Sequence, residues 1–307
     1  MPSVNKCLIV ISGPTAVGKT ALAIGLAKAL KTVVASADSR QIFKEMVIGT
    51  AKPTTEEMQG VKHYFIDHVS IHDQPVYDAA QYEKEAITLL EELFQTNDVV
   101  IMAGGSGLYV NAVLNGLDDI PEVPDKIRRQ LTNELQEQGL PVLLEELKEK
   151  DPLYYEKVHK ENPRRVQRAL EVIRHTGKPF SDFHSGHAKQ RFFRVIHIGL
   201  ERDREELYER INRRMDLMLQ QGLEEEAKTL YPFRELNALQ TVGYKEVFDF
   251  MEGRYNREEM IEKLKQHSRQ YAKRQMTWLK KDDSIKWFHP SEQNELMEYV
   301  KVRLNAL

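Results

Sequence analysis

Short apolar or β-branched runs at 7–12, 32–37, 98–103, 193–200 and 285–289, most bounded by turn or charged residues, predict strands. Between the first three, the apolar positions change to a helical period over 20–30 and 78–94. Strand, helix, strand in this order predicts an α/β fold, a parallel sheet with helices on its faces. From 121 to 191 no strand pattern appears, and the apolar spacing predicts helices over 124–138, 141–150 and 163–175. The last has Asn162 placed as N-cap, Pro163 in the first turn and Gly177 just past the end. The strand pattern then resumes at 193 and long amphipathic helices follow over 203–230 and 258–280. The expected organisation is one sheet domain, 1–120 with 192–307, carrying an all-helical insertion over 121–191.

Composition adds limits. At 307 residues, 41% hydrophobic and 30% charged, the chain reads as an ordinary soluble globular protein with one large domain or two smaller ones. Its apolar runs are far shorter than the roughly 20 residues of a membrane span, so no membrane partner is expected. There is no basic stretch followed by a cleavable apolar segment at the start, so a cytoplasmic location is the expectation. The only cysteine, Cys7, sits in the first strand and reads as core filler rather than nucleophile.

The net charge of −3 does not by itself suggest nucleic acid, but local charge does. Between 157 and 178, Lys157, Lys160, Arg164, Arg165, Arg168, Arg174 and Lys178 face only Glu161 and Glu171. Between 263 and 281, Lys263, Lys265, Arg269, Lys273, Arg274, Lys280 and Lys281 occur without an acid, interleaved with Tyr271 and Trp278. One basic run is most simply a solvated helix face. Two segregated runs make a polyanionic partner an equal reading.

The chemistry concentrates at strand ends. Gly13, Pro14, Thr15, Ala16, Val17, Gly18, Lys19 and Thr20 spell the P-loop pattern between a strand and a helix. Such a turn surrounds a phosphate with backbone N–H groups; Lys19 adds a charge, and Thr20 a hydroxyl for Mg²⁺. Ligands of open parallel sheets sit at the carboxyl ends of the strands. The second strand ends in Asp38, Ser39, Arg40 and Gln41, where Asp38 reads either as a turn carboxylate or as a general base. The third ends in Gly104, Gly105 and Ser106 instead of the Mg²⁺-holding Asp of ATP-hydrolysing P-loop proteins. On 163–175, Arg164, Gln167 and Arg168 share one face, with Val166, Ala169, Leu170 and Ile173 on the apolar one. Arg210 and Arg214, at i and i+4, either reach a pyrophosphate or pair with Glu206 and Glu209. His63, His68, His72, His159, His175, His184 and His187 show no metal-ligand spacing. The P-loop alone remains compatible with a phosphotransferase acting on a nucleoside or small metabolite, or with a non-catalytic RNA-binding protein.

Several blocks together resemble the tRNA dimethylallyltransferase family: GPTAVGKT at 13–20, ADSRQIF at 37–43, IGTAKP at 48–53, HYFID at 63–67 and GGSGLY at 104–109. NPRRVQRALEVIRHTGKP at 162–179, LQTVGYKE at 239–246 and SRQYAKRQMTWLKK at 268–281 extend the match through almost the whole chain. The resemblance implies a P-loop-type fold and transfer of a dimethylallyl group from dimethylallyl diphosphate to N6 of adenosine 37 in tRNAs reading codons that start with U. Residues 13–20 would then hold the diphosphate, with Mg²⁺ at Thr20. Asp38 becomes the general base, Thr15 and Ser106 hydroxyls near the substrates, and Arg210 or Arg214 the pyrophosphate's partner. Asp38, Ser39, Arg40, Gln41, Ser106, Arg128, Arg164, Arg165, Val166, Gln167 and Arg168 would face the tRNA, the insertion gripping the anticodon stem-loop. A monomer is expected. Ser106 stands where many members have Thr, and Tyr64–Phe65 where His–Leu is usual. With a single cysteine, no C-terminal zinc finger of the eukaryotic kind is expected, and the resemblance is to the bacterial type.

Overall fold

The computed structural model describes residues 6–74, 76–184, 186 and 188–306; His187 lies outside them. In chain order the elements before the insertion are β1 (Cys7–Ser12), α1 (Lys19–Leu30), β2 (Val34–Ser36), α2 (Thr55–Met58), β3 (His63–Tyr64), α3 (Ala79–Thr96), β4 (Val99–Gly104) and α4 (Gly107–Asn115). The insertion holds α5 (Asp125–Gln138), α6 (Leu140–Lys150), α7 (Pro152–Lys157) and α8 (Pro163–Thr176). β5 (Arg194–Leu200), α9 (Arg204–Gln220), α10 (Leu223–Leu230), α11 (Tyr244–Met251), α12 (Arg257–Leu279), β6 (Lys286–Phe288) and α13 (Gln293–Asn305) complete the chain.

Cα packing separates two units, Met1–Asn115 with Gln190–Leu307, and Gly116–Lys189. The first is built on a six-stranded parallel sheet, among the described residues, in the order β3-β2-β4-β1-β5-β6. Central strands of a parallel sheet are covered on both faces and therefore read as unbroken apolar runs. Cys7 to Ile11 are accordingly all fully buried. Register aligns the strand ends: Ser12 lies opposite Gly104 and Gly199, and Ser36 opposite Ala103. The loops leaving β1, β2 and β4 thus emerge side by side.

The 203–230 segment is not one helix. It breaks into α9 and α10 at Gly222, which takes a left-handed conformation (φ 100°) that a helix cannot contain. α4, α11 and α13 lie where the glycine-rich or mixed sequence predicts no helix. The two-residue strand β3 forms only by pairing with Val34 and Ala35.

The second unit is all-helical. Leu131, Leu143, Leu147, Val166, Leu170 and Phe180 fill its core. Asn162 caps α8 through its side chain to the Arg165 N–H, and Gly177 ends it at φ 71°. Arg174 donates to Glu134 (2.7 Å) and Glu146 (2.5 Å), joining α5, α6 and α8 by charge.

Candidate active site

The turn after β1 closes on itself. Lys19, the first residue of α1, folds back so that its ammonium donates to the carbonyls of Gly13 (3.0 Å) and Pro14 (2.8 Å). Burial lowers its pKa to about 8; the Asp38 carboxylate opposes that shift and Arg214 adds to it. Lys19, Asp38 and Arg214 therefore sense one another's charge. All three line one pocket of about 140 Å³, together with Thr15, Thr20 and Tyr271.

Of the two roles open to Asp38 in the sequence, the turn carboxylate is visible in its hydrogen bonds. Its Oδ1 accepts the N–H groups of Arg40 (2.9 Å) and Gln41 (3.2 Å), as a turn carboxylate does. That anchoring fixes the carboxyl group in the pocket wall. Ser106 Oγ accepts the Ser39 N–H (3.0 Å) and donates to Ser39 Oγ (3.2 Å), tying the loop after β4 to the loop after β2. Gln41 donates from Nε2 to the carbonyls of Thr50 and Ala51, each at 3.1 Å.

The structure separates the two arginines of α9. Arg214 enters the pocket, half-buried, and donates to Thr15 Oγ1 and to the Ala51 carbonyl, both at 3.3 Å. Arg210 is exposed and spends its Nε–H on the Ala16 carbonyl (2.9 Å), bracing the P-loop from outside. Neither forms the surface pair with Glu206 or Glu209 that the spacing allowed; Arg202 pairs with Glu206 instead.

Gln275 of α12 is the residue that sequence reasoning missed. Its Oε1 accepts the Thr15 N–H (2.9 Å) and its Nε2 donates to the Gly105 carbonyl (2.8 Å), so one buried amide joins the P-loop to the glycine turn after β4. The signal was present: Gln275 falls on the stripe of Met260, Leu264, Ala272 and Leu279, where a polar residue must be satisfied. Tyr271, one turn earlier, has its phenol pushed up to about 12 by burial, with Asp38 adding to the shift, and stays protonated near neutrality.

Among the described residues no cluster of three His, Cys, Asp or Glu side chains could hold a metal. The pocket lining carries hydroxyl oxygens, that of Thr20 among them, and a single carboxylate, Asp38. This sparse oxygen set fits Mg²⁺, which takes one or two protein oxygens and completes its shell with water and phosphate oxygens.

The residues expected to face tRNA fall into two groups. Ser39, Arg40, Gln41 and Ser106 lie around the pocket of the sheet unit. Arg128, Arg164, Arg165, Gln167 and Arg168 lie in the helical unit. There, Arg164 and Arg165 are exposed at the start of α8. Arg168 is paired with Glu171 at 3.1 Å, Arg128 reaches the same carboxylate at 4.0 Å, and Gln167 donates to Thr132 (2.8 Å). Val166 differs from the residues around it. Its side chain is fully buried in the helical core, on the face opposite Arg164 and Arg168.

The chain matches the IPP transferase family over residues 41–282. It is 52% identical over 304 residues to a protein of Cytophaga hutchinsonii named tRNA dimethylallyltransferase, covering 99% of each. The solved full-length tRNA isopentenylpyrophosphate transferase of Bacillus halodurans is 38% identical, with a TM-score of 0.71 over 98% of this chain and 97% of that one. A eukaryotic dimethylallyltransferase acting on tRNA is 30% identical, with a TM-score of 0.75 over 89% of this chain and 70% of that one.

Proposed function

The chain belongs to the IPP transferase family, and from that premise we propose that it transfers the dimethylallyl group of dimethylallyl diphosphate to N6 of adenosine 37 in tRNAs reading codons that start with U, releasing diphosphate. Its activity is that of a tRNA dimethylallyltransferase. The observation that carries the residue assignment is the convergence of Lys19, Arg214 and the Thr15 hydroxyl with the Asp38 carboxylate on one pocket.

In this reaction the bond between the allylic C1 and its diphosphate oxygen breaks and a bond from N6 to C1 forms. Negative charge grows on the departing diphosphate. Lys19 and Arg214, fixed before the substrate arrives, are placed to stabilise it electrostatically. Thr20 and diphosphate oxygens would hold Mg²⁺, which adds charge neutralisation there when bound. The attacking nitrogen becomes cationic as it alkylates, and Asp38 accepts its proton. The adenine must leave its stack to reach this pocket, whose lining includes Arg40 and Gln41. The enzyme acts as a monomer in the cytoplasm, the compartment of its tRNA substrate.

Incubating the protein with unmodified tRNA, Mg²⁺ and dimethylallyl diphosphate, then analysing nucleosides by mass spectrometry, tests the reading. A prenylated adenosine is expected. Its absence, with phosphate transfer from ATP instead, would overturn it. Asp38→Asn is expected to keep tRNA affinity while turnover falls about 10²–10⁴-fold, the range for a lost general base. Unchanged turnover would remove Asp38 from that role.

A further inference from the structure

Two sequence blocks, IGTAKP at 48–53 and LQTVGYKE at 239–246, line the pocket without supplying a reacting group to the chemistry above, and they meet at a third place that neither contains. Glu226, in the first turn of α10, sends its carboxylate into the 47–51 loop. Oε2 accepts the N–H groups of Val47 (3.2 Å) and Ile48 (2.8 Å). Oε1 accepts the N–H of Gly49 (2.9 Å) and the hydroxyl of Tyr244 (2.6 Å). Four neutral donors converge on one carboxylate, and among the described residues no cation pairs with it. A charge satisfied wholly by backbone and hydroxyl donors dictates the path of the chain that supplies them.

The loop is closed from its other side as well. A Cβ on Gly49 would lie 2.5 Å from the Tyr244 ring, so only glycine admits the ring that carries the fourth donor. Within the loop the Ala51 N–H bonds the Ile48 carbonyl (2.9 Å) and Ala51 turns left-handed, with φ 49°. This turn aims the Ala51 carbonyl into the pocket, where it accepts from Arg214 Nη2 (3.3 Å) and Gln41 Nε2 (3.1 Å).

We infer that Glu226 is a positioning residue for the transfer reaction: by fixing residues 47–49 it fixes the Ala51 carbonyl, and through it the placement of Arg214 against Thr15. The inference rests on the role given to Arg214 above. The carboxylate is required because all four partners are donors. Glutamine has the same shape but would turn an NH₂ group against at least one of them.

The test is a double-mutant cycle with Glu226→Gln, Arg214→Gln and the pair, following kcat, KM for dimethylallyl diphosphate, tRNA Kd and Tm. Glu226→Gln is expected to lower kcat about tenfold or more at temperatures well below its Tm, with tRNA Kd unchanged. Combined with Arg214→Gln it should cost little beyond the worse single variant, because both act through one contact. Additive losses, or a lowered Tm with kcat intact, would overturn the inference. Tyr244→Phe removes only one of the four donors, so it tests the same path if Glu226→Gln fails to fold; it should lower kcat by a smaller factor, and an unchanged kcat counts against the inference. If Arg214→Gln itself turns over normally, Arg214's assigned role fails and this inference with it. If Arg214→Gln is impaired and Glu226→Gln is not, this inference alone fails.

Discussion

Lys19 shows how much one residue's environment decides. The sequence identifies it as the P-loop lysine, but only packing reveals that it is half-buried and folded back onto the Gly13 and Pro14 carbonyls. With its pKa lowered by burial to about 8, the free enzyme loses this charge just above neutrality. A diphosphate binds the charged form, so kcat/KM for dimethylallyl diphosphate should decline as pH rises through about 8. Folding stability should move the other way. The unfolded lysine titrates near its ordinary value, so between about pH 8 and 10 the unfolded chain binds more protons and this group's contribution to stability rises with pH. Lys19→Arg keeps the charge throughout and should carry the alkaline limb upward. Rate profiles and urea titrations from about pH 7 to 10 check both signs, and parallel trends would reject the assignment. Cys7 contrasts with this. Its burial, which pushes the thiol up to about 11, was legible from a lone cysteine in an apolar strand.

At the scale of elements, the strands and the insertion helices were readable wherever periodicity decided them, and unreadable where tertiary packing decided them. β1 and α8 follow from local pattern and capping residues alone. β3 exists only because β2 lies beside it, and α4 hides behind a glycine-rich turn that reads as loop. That turn is glycine-rich because the sheet closes tightly there. A Cβ on Gly104 would lie 2.1 Å from the Ala37 carbonyl oxygen, a backbone atom that cannot move without shifting β2. Gly25 is the opposite case, exposed within α1 with nothing within 4 Å of an added Cβ. Gly104→Ala should therefore destabilise by about 1–3 kcal/mol through overpacking. Gly25→Ala should stabilise by about 0.5–1 kcal/mol through helix propensity. Urea midpoints of the two variants test the contrast. If both change stability in the same direction, the distinction between close approach and mere flexibility is wrong at one of them.

Over the whole molecule, charge segregation pointed to a polyanionic partner without saying which cations are free to meet it. The structure sorts them. In the 157–178 run, Arg174 is held by Glu134 and Glu146, Arg168 by Glu171, and Lys160 lies near Glu156 and over the Tyr155 ring. In the 263–281 run, Lys265 pairs with Asp216 and Lys280 with Glu201. Most of these pairs form in three dimensions between residues far apart in sequence, which is why counting charges along the chain overstates the surface open to RNA. Arg164 and Arg165, exposed like Lys157, Lys178, Lys273 and Lys281, sit at the N-terminus of α8, the positive end of the helix, which favours a phosphate beside them. Every phosphate deprived of its arginine should flatten the dependence of log K on log salt by about 0.7–0.9. Replacing both arginines by glutamine should thus reduce the slope of tRNA binding by about 1.4–1.8 and weaken binding most at low salt. Arg174→Gln provides the contrast, since its charge is already spent: stability should fall while the slope stays put. Binding curves at several salt concentrations distinguish the two. An unchanged slope in the Arg164/Arg165 variant would make that face merely solvated, and a slope reduced by Arg174→Gln would show that its internal pairs open to meet the RNA.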